Sequence, residues 1–342
     1  MLSWGLALAL QFVPAAGGVP NRQPHLAILG SKVALVYGAG DRILVRSSSD
    51  AGATFGEPVA LPVTGKIALG MRRGPRVAIT RHGYMVTAIT GETLRGEDGD
   101  VTAWFSEDGK AWSAGRRLNS AERAGREGLH AMGASEDGTV AVAWLDLRGK
   151  GTQLWAAIST DGGRSWHDDR RVYESPSGSV CECCHPAIAV SGKNVHLMFR
   201  NVVAGSRDMY LISSANGGKS WGEARKMGLG TWRLEGCPMD GGDLQLDAER
   251  RPVAVWRRDN QLFLSTPSSP EEAVAVGKNA VLAVSRGRRA VAWMDGKRVR
   301  FLSDSDRVER SGAWPSLVAL PSGRVLLAWE DAGTIHVESF GL

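Results

Sequence analysis

Three of the four cysteines in this 342-residue chain lie within four positions of the segment GSVCECCHPAIAV, at Cys181, Cys183 and Cys184, and His185 follows them directly. The fourth, Cys237, lies in EGCPMD. Thiolate and imidazole donors suit copper as Cu(I), zinc or another thiophilic metal. In an oxidising compartment the cysteines could instead form two disulfides, with Cys237 joined to one of the trio, or they could stay as buried free thiols.

An internal repeat defines the elements that must position these residues. Each repeat contains a run of β-branched or apolar residues, typical of a buried strand. In several repeats a strand opened by proline comes before this run, as in QPHLAI, GPRVAI, HPAIAV and WPSLVAL. A third strand that ends in a polar turn follows it. Four strands per unit, repeated radially, predict an all-β protein, a β-propeller with four-stranded blades. The seven runs end in a large side chain, at Tyr37, Ile89, Trp144, Phe199, Trp256, Trp293 and Trp329.

The turn after the third strand has a shared pattern in four repeats. An Asp or Asn side chain in such a turn can accept backbone N–H bonds, and Gly takes the positive-φ position. These turns closely resemble the Asp-box, or BNR, repeats of the sialidase (neuraminidase) superfamily. The resemblance implies that Asp50, Asp108 and Asp161 stabilise the fold on the outer rim, away from the active site. The four turns are SSDAGATF (48–55), SEDGKAW (106–112), STDGGRSW (159–166) and SANGGKSW (214–221).

The repeat count favours seven blades, with the six blades of sialidases as the alternative. The final unit supplies only three strands, so we expect a ring-closing strand from the N-terminal stretch QFVPAAGGV. This stretch overlaps a candidate signal peptide, which has no Lys or Arg before its apolar run. Residues 1–20 are therefore interpreted as a signal peptide or a ring-closing strand, and 21–342 as one propeller domain. If residues 1–20 are cleaved as a signal peptide, we expect a periplasmic or secreted protein. If they are retained, we expect a cytoplasmic one.

The repeat places the cysteine segment on the loop that leads into the innermost strand of the fourth unit, and Cys237 at the equivalent place in the fifth. In a propeller these loops converge on the mouth of the central channel. Other units offer polar or soft side chains at nearly the same register, so we expect a ring of ligand-binding residues there. These candidates are His25, Arg76, His130, Met239 and Asp240.

The resemblance also implies a specific chemistry. Sialidases bind the substrate carboxylate with an arginine triad and use an Asp acid/base with a Tyr nucleophile. Within NRQP, Arg22 and Pro24 match two positions of the family's aromatic-Arg-Ile-Pro motif, and Asp41 lies roughly where the family carries its acid. Tyrosines occur only at 37, 84, 173 and 210, whereas the family's nucleophile comes late in the chain. Ordinary sialidase catalysis is therefore disfavoured.

Charge and hydropathy exclude other classes of function. The formal net charge of +5 is spread in short groups, without the clustered patch and aromatic platform of a nucleic-acid-binding protein. No segment is long and apolar enough for a transmembrane helix.

The preferred hypothesis is a propeller that binds a small ligand or a thiophilic metal, copper or zinc, at the Cys/His cluster. The alternatives are an exo-acting sialidase-like glycoside hydrolase, with Arg22 binding an anionic sugar and Asp41 as acid, and a protein-interaction scaffold whose partner the sequence does not indicate.

Overall fold

The computed structural model describes residues 9–14, 18–266 and 269–342, and these residues form seven antiparallel sheets. Most of the apolar run of the candidate signal peptide, and its expected cleavage site near Gly17, lie outside the described residues. Within the described chain, no helix is long and apolar enough to cross a membrane.

Each sheet is one blade, and its strands follow one another from the innermost to the outermost. Strand β1 (Leu10–Phe12) precedes the first complete blade. Blade 1 consists of β2 (Asn21–Leu29), β3 (Lys32–Ala39), β4 (Arg42–Ser48) and β5 (Val59–Ala60). Blade 2 consists of β6 (Lys66–Ile67), β7 (Arg76–Thr80), β8 (Gly83–Gly91), β9 (Asp100–Ser106) and β10 (Arg116–Arg117), with β6 and β7 both paired to β8. Blade 3 consists of β11 (His130–Ala134), β12 (Val140–Asp146), β13 (Gln153–Ser159) and β14 (Arg170–Tyr173).

The remaining blades follow the same order. Blade 4 consists of β15 (Ala187–Ser191), β16 (Asn194–Arg200), β17 (Met209–Ser214) and β18 (Arg225–Lys226). Blade 5 consists of β19 (Asp243–Leu246), β20 (Pro252–Arg258), β21 (Gln261–Thr266) and β22 (Ser269–Val276). Blade 6 consists of β23 (Lys278–Ser285), β24 (Arg288–Asp295), β25 (Arg298–Leu302) and β26 (Arg307–Ser311). Blade 7 consists of β27 (Ala313–Ala319), β28 (Arg324–Asp331) and β29 (Thr334–Gly341), with β1 as its outermost strand.

The blades close into a ring. The seven innermost strands, β2, β7, β11, β15, β19, β23 and β27, contact one another in sequence, and β27 contacts β2. Strand β1 pairs antiparallel with β29, in the register Leu10 with Val337 and Phe12 with Ile335. The described chain is therefore a seven-bladed β-propeller, and the prediction of seven blades rather than six is confirmed.

The core lies between the blades. The second strand of each blade is covered on both faces by its neighbours, which explains why it is a continuous apolar run rather than an alternating one. All seven large residues that end these runs are at least nine-tenths buried, including Trp144 and Phe199, which have no exposed surface.

The Asp-box turns of blades 1 to 4 each pack against the neighbouring blade that precedes their own. Asp50 accepts hydrogen bonds from the Thr54 backbone N–H and hydroxyl at 2.9 and 2.6 Å, and Asn216 accepts one from the Ser220 N–H at 3.0 Å in the fourth box. The box glycines Gly52 and Gly218 face side chains of the preceding blade. None of the box residues lines the central channel.

Candidate functional site

The inner strands surround a central cavity of about 400 Å³. Along the strands its wall is apolar, with small residues such as Ala78 and Ala131 beside larger ones such as Ile188. At the end where the inner strands begin, which we name the channel mouth, the wall becomes polar. The polar residues at the mouth are Gln23, His25, Arg72, Arg76, His185 and Asp243.

Two guanidinium groups dominate the charge of the mouth. Arg72 reaches across the ring from the loop before β7 and donates to the carbonyls of Pro315, at 3.0 Å, and Asn279. Arg76 donates to the carbonyls of Gly74 and Arg72. Neither forms an ion pair with a carboxylate of the described residues. Burial, together with the Arg72 charge, lowers the pKa of Arg76 to about 9. The mouth therefore holds positive charge that backbone carbonyls and the nearby charges of Asp243 and Asp240 balance in part.

Neutral histidines surround the arginines. Burial first, and the two arginine charges second, hold the pKa values of His25 and His185 well below the usual range. Nδ1 of His25 accepts the Val77 N–H at 3.3 Å, so the neutral ring carries its proton on Nε2. Nε2 of His185 lies 3.0 Å from the Gly242 carbonyl, so that ring donates from Nε2 and keeps Nδ1 as an acceptor.

His130, the first residue of β11, has no exposed surface and does not line the cavity. Its Nε2 is 3.1 Å from the Thr87 hydroxyl, and burial together with the Arg76 charge lowers its pKa to about 3. His130 is therefore a neutral residue behind the cavity wall.

Acidic groups come from blade 5. The Asp243 carboxylate accepts the backbone N–H groups of Leu244 and Leu282, both at 2.8 Å, yet burial raises its pKa. Asp240 accepts the Asn279 N–H at 2.8 Å and so joins the loop before β19 to β23. Asp243 is the acidic side chain on the described cavity wall.

The mouth combines backbone strain with polar atoms that lack partners. Gln23, Arg72, Asn279 and Trp314 all have φ between 54° and 66°, a region that is unfavourable for residues other than glycine. Among the described residues, Gln23 Nε2, Arg72 Nε, His130 Nδ1 and Asn279 Oδ1 are buried without a hydrogen-bond partner. Such groups are costly unless something else satisfies them, and their clustering is typical of a ligand-binding site.

The cysteine trio lies beside the mouth, on the turn that ends at His185. The three Sγ atoms form a compact triangle, 3.6 Å from Cys181 to Cys183, 3.5 Å from Cys181 to Cys184 and 3.8 Å from Cys183 to Cys184. Cys181 and Cys184 are buried and Cys183 is half-buried. All four cysteines are free thiols, and the structure leaves Cys237 exposed and outside this triangle.

The surroundings of the trio favour a thiolate. Arg207 donates from Nη1 to Cys181 Sγ at 3.1 Å and from Nε to the Leu234 carbonyl at 3.2 Å. Hydrogen bonding between Cys181 and the Cys183 and Cys184 side chains, with a smaller contribution from the Arg207 charge, lowers the pKa of Cys181. The Cys181 thiol is therefore the first of the three to ionise.

Some of the site residues predicted from the sequence lie at the channel mouth, and others do not. The structure brings His25, Arg76 and His185 together on the wall, buries His130 behind that wall, and buries Asp240 in the loop before β19. Met239, by contrast, is 42% exposed, with φ of 54°. Arg22 and Asp41 do not line the described cavity: Arg22 lies 3.6 Å from Glu330 and is exposed, and Asp41 lies in the tight turn between β3 and β4.

Sequence reasoning missed Arg72, Asp243 and Asn279. Asp243 pairs with the residue before the large side chain that ends the second strand, as His25 does in blade 1, and Asn279 lies in the same interruption of the pairing as Gln23, so the repeat register contained a signal for both. Arg72 lies outside any strand, and its position depends on a loop that crosses the mouth. No strand periodicity could have indicated it.

These features define a seven-bladed propeller whose strained, cationic site lies at one end of its channel. The chain belongs to the BNR repeat-like domain family, whose model matches residues 93–327. This confirms the relationship that the Asp boxes predicted. No curated protein matches the chain in sequence.

Solved structures share the architecture at low identity. An ulvan lyase of polysaccharide lyase family PL25, bound to a GlcA-containing saccharide, is 12% identical with a TM-score of 0.59, over 98% of this chain and 96% of that one. The Penicillium chrysogenum alpha-L-arabinanase complexed with arabinobiose is 11% identical with a TM-score of 0.57, over 98% and 99%. A Hadza microbial sialidase is 15% identical with a TM-score of 0.51, over 87% and 73%. At these identities the likeness shows the fold alone.

Proposed function

We propose that the channel mouth binds the carboxylate of an acidic saccharide and that the protein acts on glycans of this class. The observation that carries this proposal is the pair Arg72 and Arg76, two guanidinium groups that line the cavity without a carboxylate partner among the described residues. Burial of a charge that has no carboxylate within ion-pair distance is costly, and a planar carboxylate is the ligand that a guanidinium fork binds best.

Other groups at the mouth suit a sugar ring. Nε2–H of His25 supplies a donor and Nδ1 of His185 an acceptor for hydroxyl groups. The half-buried Trp314 on the cavity wall offers an apolar face. A few directed polar groups beside an aromatic side chain are typical of a small-molecule site.

The structural relatives agree with a saccharide ligand. The ulvan lyase structure contains a GlcA saccharide, the arabinanase structure contains arabinobiose, and the sialidase is named for a carbohydrate activity. Of these ligands, an acidic saccharide such as the GlcA type matches the charge of Arg72 and Arg76.

A sialidase-like hydrolase is the second candidate, and Glu330 gives it a specific basis. Glu330 lies beside Arg22 and accepts the Gln23 backbone N–H at 2.5 Å. Burial raises the pKa of Glu330, as a general acid requires. In this version Arg22 binds the anionic sugar, and Asp41 or Glu330 is the proton donor.

Binding is tested by calorimetry with glucuronate-, galacturonate- and sialic-acid-terminated oligosaccharides against neutral arabino-oligosaccharides. We expect acidic ligands to bind and Arg76→Gln to weaken them by about 10- to 100-fold, the loss expected for one charge-assisted hydrogen-bonding group. Arg164→Gln is the matched control, because Arg164 pairs with Glu107 in an Asp-box turn. Arg72→Gln provides a second variant if Arg76→Gln unfolds. Equal affinity for neutral ligands, unchanged by either substitution, would contradict the proposal.

Mass spectrometry of the products determines whether the reaction is hydrolysis or elimination. Hydrolysis adds one water to the cleaved bond, whereas elimination adds none and leaves an unsaturated sugar. Loss of hydrolysis in Asp41→Asn or Glu330→Gln, with ligand affinity retained, would support the hydrolase candidate. Hydrolysis that survives both substitutions would exclude these two residues as its acid.

A further inference from the structure

We propose that Cys181, Cys183 and Cys184 form a trigonal tri-thiolate site for a thiophilic metal ion, with Cu(I) as the ion that fits best. This site is separate from the saccharide site and does not depend on it. Its basis is the sulfur triangle, whose three Sγ atoms all lie within 4.8 Å of one another.

The size of the triangle matches a metal ion. A point equidistant from the sulfurs in their own plane is about 2.1 Å from each, so an ion bound at a metal–sulfur distance of about 2.3 Å would lie only roughly 1 Å above that plane. The turn therefore presents its thiols at ligand spacing without rearrangement of the backbone.

The number of ligands distinguishes between metals. A structural zinc site has four protein ligands, and no fourth His, Cys, Asp or Glu of the described residues joins the triangle. Soft thiolates suit Cu(I), zinc and Fe–S clusters alike, and of these Cu(I) is the ion that three sulfurs satisfy without a fourth ligand. His185 is adjacent in sequence, but its Nε2 faces the Gly242 carbonyl and its ring lines the channel.

A cation lies against the triangle. Arg207 contacts Cys181 directly, with Nη1 donating to Sγ at 3.1 Å. A guanidinium in this position compensates part of the negative charge that the thiolate ligands of a bound ion carry.

Hydrogen bonds to neighbouring strands hold the cysteine turn in place. The Cys181 N–H donates to the Arg200 carbonyl at 3.0 Å, and the Val180 N–H donates to the Thr152 carbonyl at 2.9 Å. The Arg200 side chain, buried at 1% exposure, donates to the Asp240, Arg207 and Arg257 carbonyls. The half-buried Cys183 then gives an ion access from solvent.

The test uses the full chain, reduced and metal-free, titrated with Cu(I) under anaerobic conditions in competition with a chromophoric Cu(I) chelator. We expect one Cu(I) per chain, thiolate-to-metal charge-transfer absorption in the ultraviolet and three sulfur neighbours in X-ray absorption. Cys183→Ser should lower Cu(I) affinity by at least about 100-fold, and Arg207→Ala by about 10-fold, the range for a group that supports a ligand.

Cys237→Ser is the matched control, because Cys237 is exposed and outside the triangle, and it should keep full affinity. Arg76→Gln should also keep it, which separates failure of this proposal from failure of the saccharide proposal. Loss of Cu(I) binding in Cys237→Ser equal to that in Cys183→Ser would overturn the tri-thiolate assignment. Tighter binding of Zn(II) than of Cu(I) would overturn the choice of ion, and stoichiometric disulfide within the trio of the native protein would overturn the site.

Discussion

At the scale of single residues, one side chain organises each Asp-box turn. Asp50 receives the Ser48 hydroxyl at 2.7 Å in addition to its two bonds from Thr54, and the Ser48 oxygen in turn accepts the Gly52 N–H at 2.9 Å. Asn216 Oδ1 likewise accepts the Ser214 hydroxyl at 2.9 Å and the Ser220 N–H at 3.0 Å, but its Nδ2 donates to the Ser220 hydroxyl at 2.7 Å. The turn therefore requires an acceptor oxygen at this position. It does not require a negative charge, because one of the four boxes carries Asn in place of Asp.

The charge of Asp50 should appear in the pH dependence of stability. The hydrogen bonds from Thr54, and then that from Ser48, lower the pKa of Asp50 from 3.8 to about 2. A carboxyl whose folded pKa is depressed stabilises the fold at neutral pH, and this contribution disappears as the pH falls from about 4 towards 2. Because Asp50 is exposed, we expect no more than about 1 kcal/mol.

The measurement is thermal unfolding of wild type and Asp50→Asn between neutral and acidic pH. The difference in Tm should be largest at neutral pH and should shrink below about pH 4. Asn216→Asp is the converse control and should acquire an acid-dependent contribution. A difference in Tm that is constant with pH would contradict this account.

At the scale of elements, the loops that precede the inner strands pack directly on one another. The loop before β19 touches the loop before β15 at Gly241, where a Cβ atom would overlap the main-chain carbonyl oxygen of His185. A glycine is thus required for the close approach of two backbones, and it sets the relative position of His185 and Asp240.

Gly241→Ala should therefore destabilise the protein by about 1–3 kcal/mol and disturb the channel mouth, because the overlapping atom belongs to the backbone and cannot rotate away. Gly222→Ala is the matched control, since a Cβ there would meet only the Ser213 carbonyl oxygen at 3.5 Å. Chemical denaturation and saccharide affinity would both be measured. A Gly241→Ala protein with wild-type stability and wild-type affinity would show that the loops do not position the site.

At the scale of the whole molecule, ring closure joins the two ends of the described chain. Strand β1 pairs with β29, and the Phe12 ring packs edge-on against Phe55 at a centroid distance of 5.6 Å, with the Arg46 guanidinium 4.5 Å from its centroid. The Asn21 side-chain amide donates to the Phe12 carbonyl at 3.0 Å. Blades 1 and 7 are therefore held together both by their inner strands and by β1.

Phe12→Ala should lower the free energy of unfolding by about 2 kcal/mol, because a partly buried aromatic ring and its cation–π contact are lost. Gln11→Ala, at an exposed position of the same strand, should change it by less than about 0.5 kcal/mol. Denaturant unfolding compares the two. Equal effects would mean that β1 contributes only its backbone pairing.

The sequence by itself determined the architecture. A strand's apolar run and a turn's Asp, Gly and Trp each lie within a dozen residues, so local periodicity and turn chemistry indicate them directly. Repetition of this unit then predicted seven blades and placed His25, Arg76 and His185 at nearly the same register around one ring.

Tertiary structure decided the composition of the site. Arg72 reaches the mouth because its loop crosses the ring to Pro315 and Asn279, and this path depends on the packing of three blades rather than on local sequence. The same holds for the cysteines, since equivalent loops carry both the trio and Cys237 but only the trio forms a triangle. Distances between side chains depend on loop conformation, which is set by contacts between blades that lie far apart in the chain.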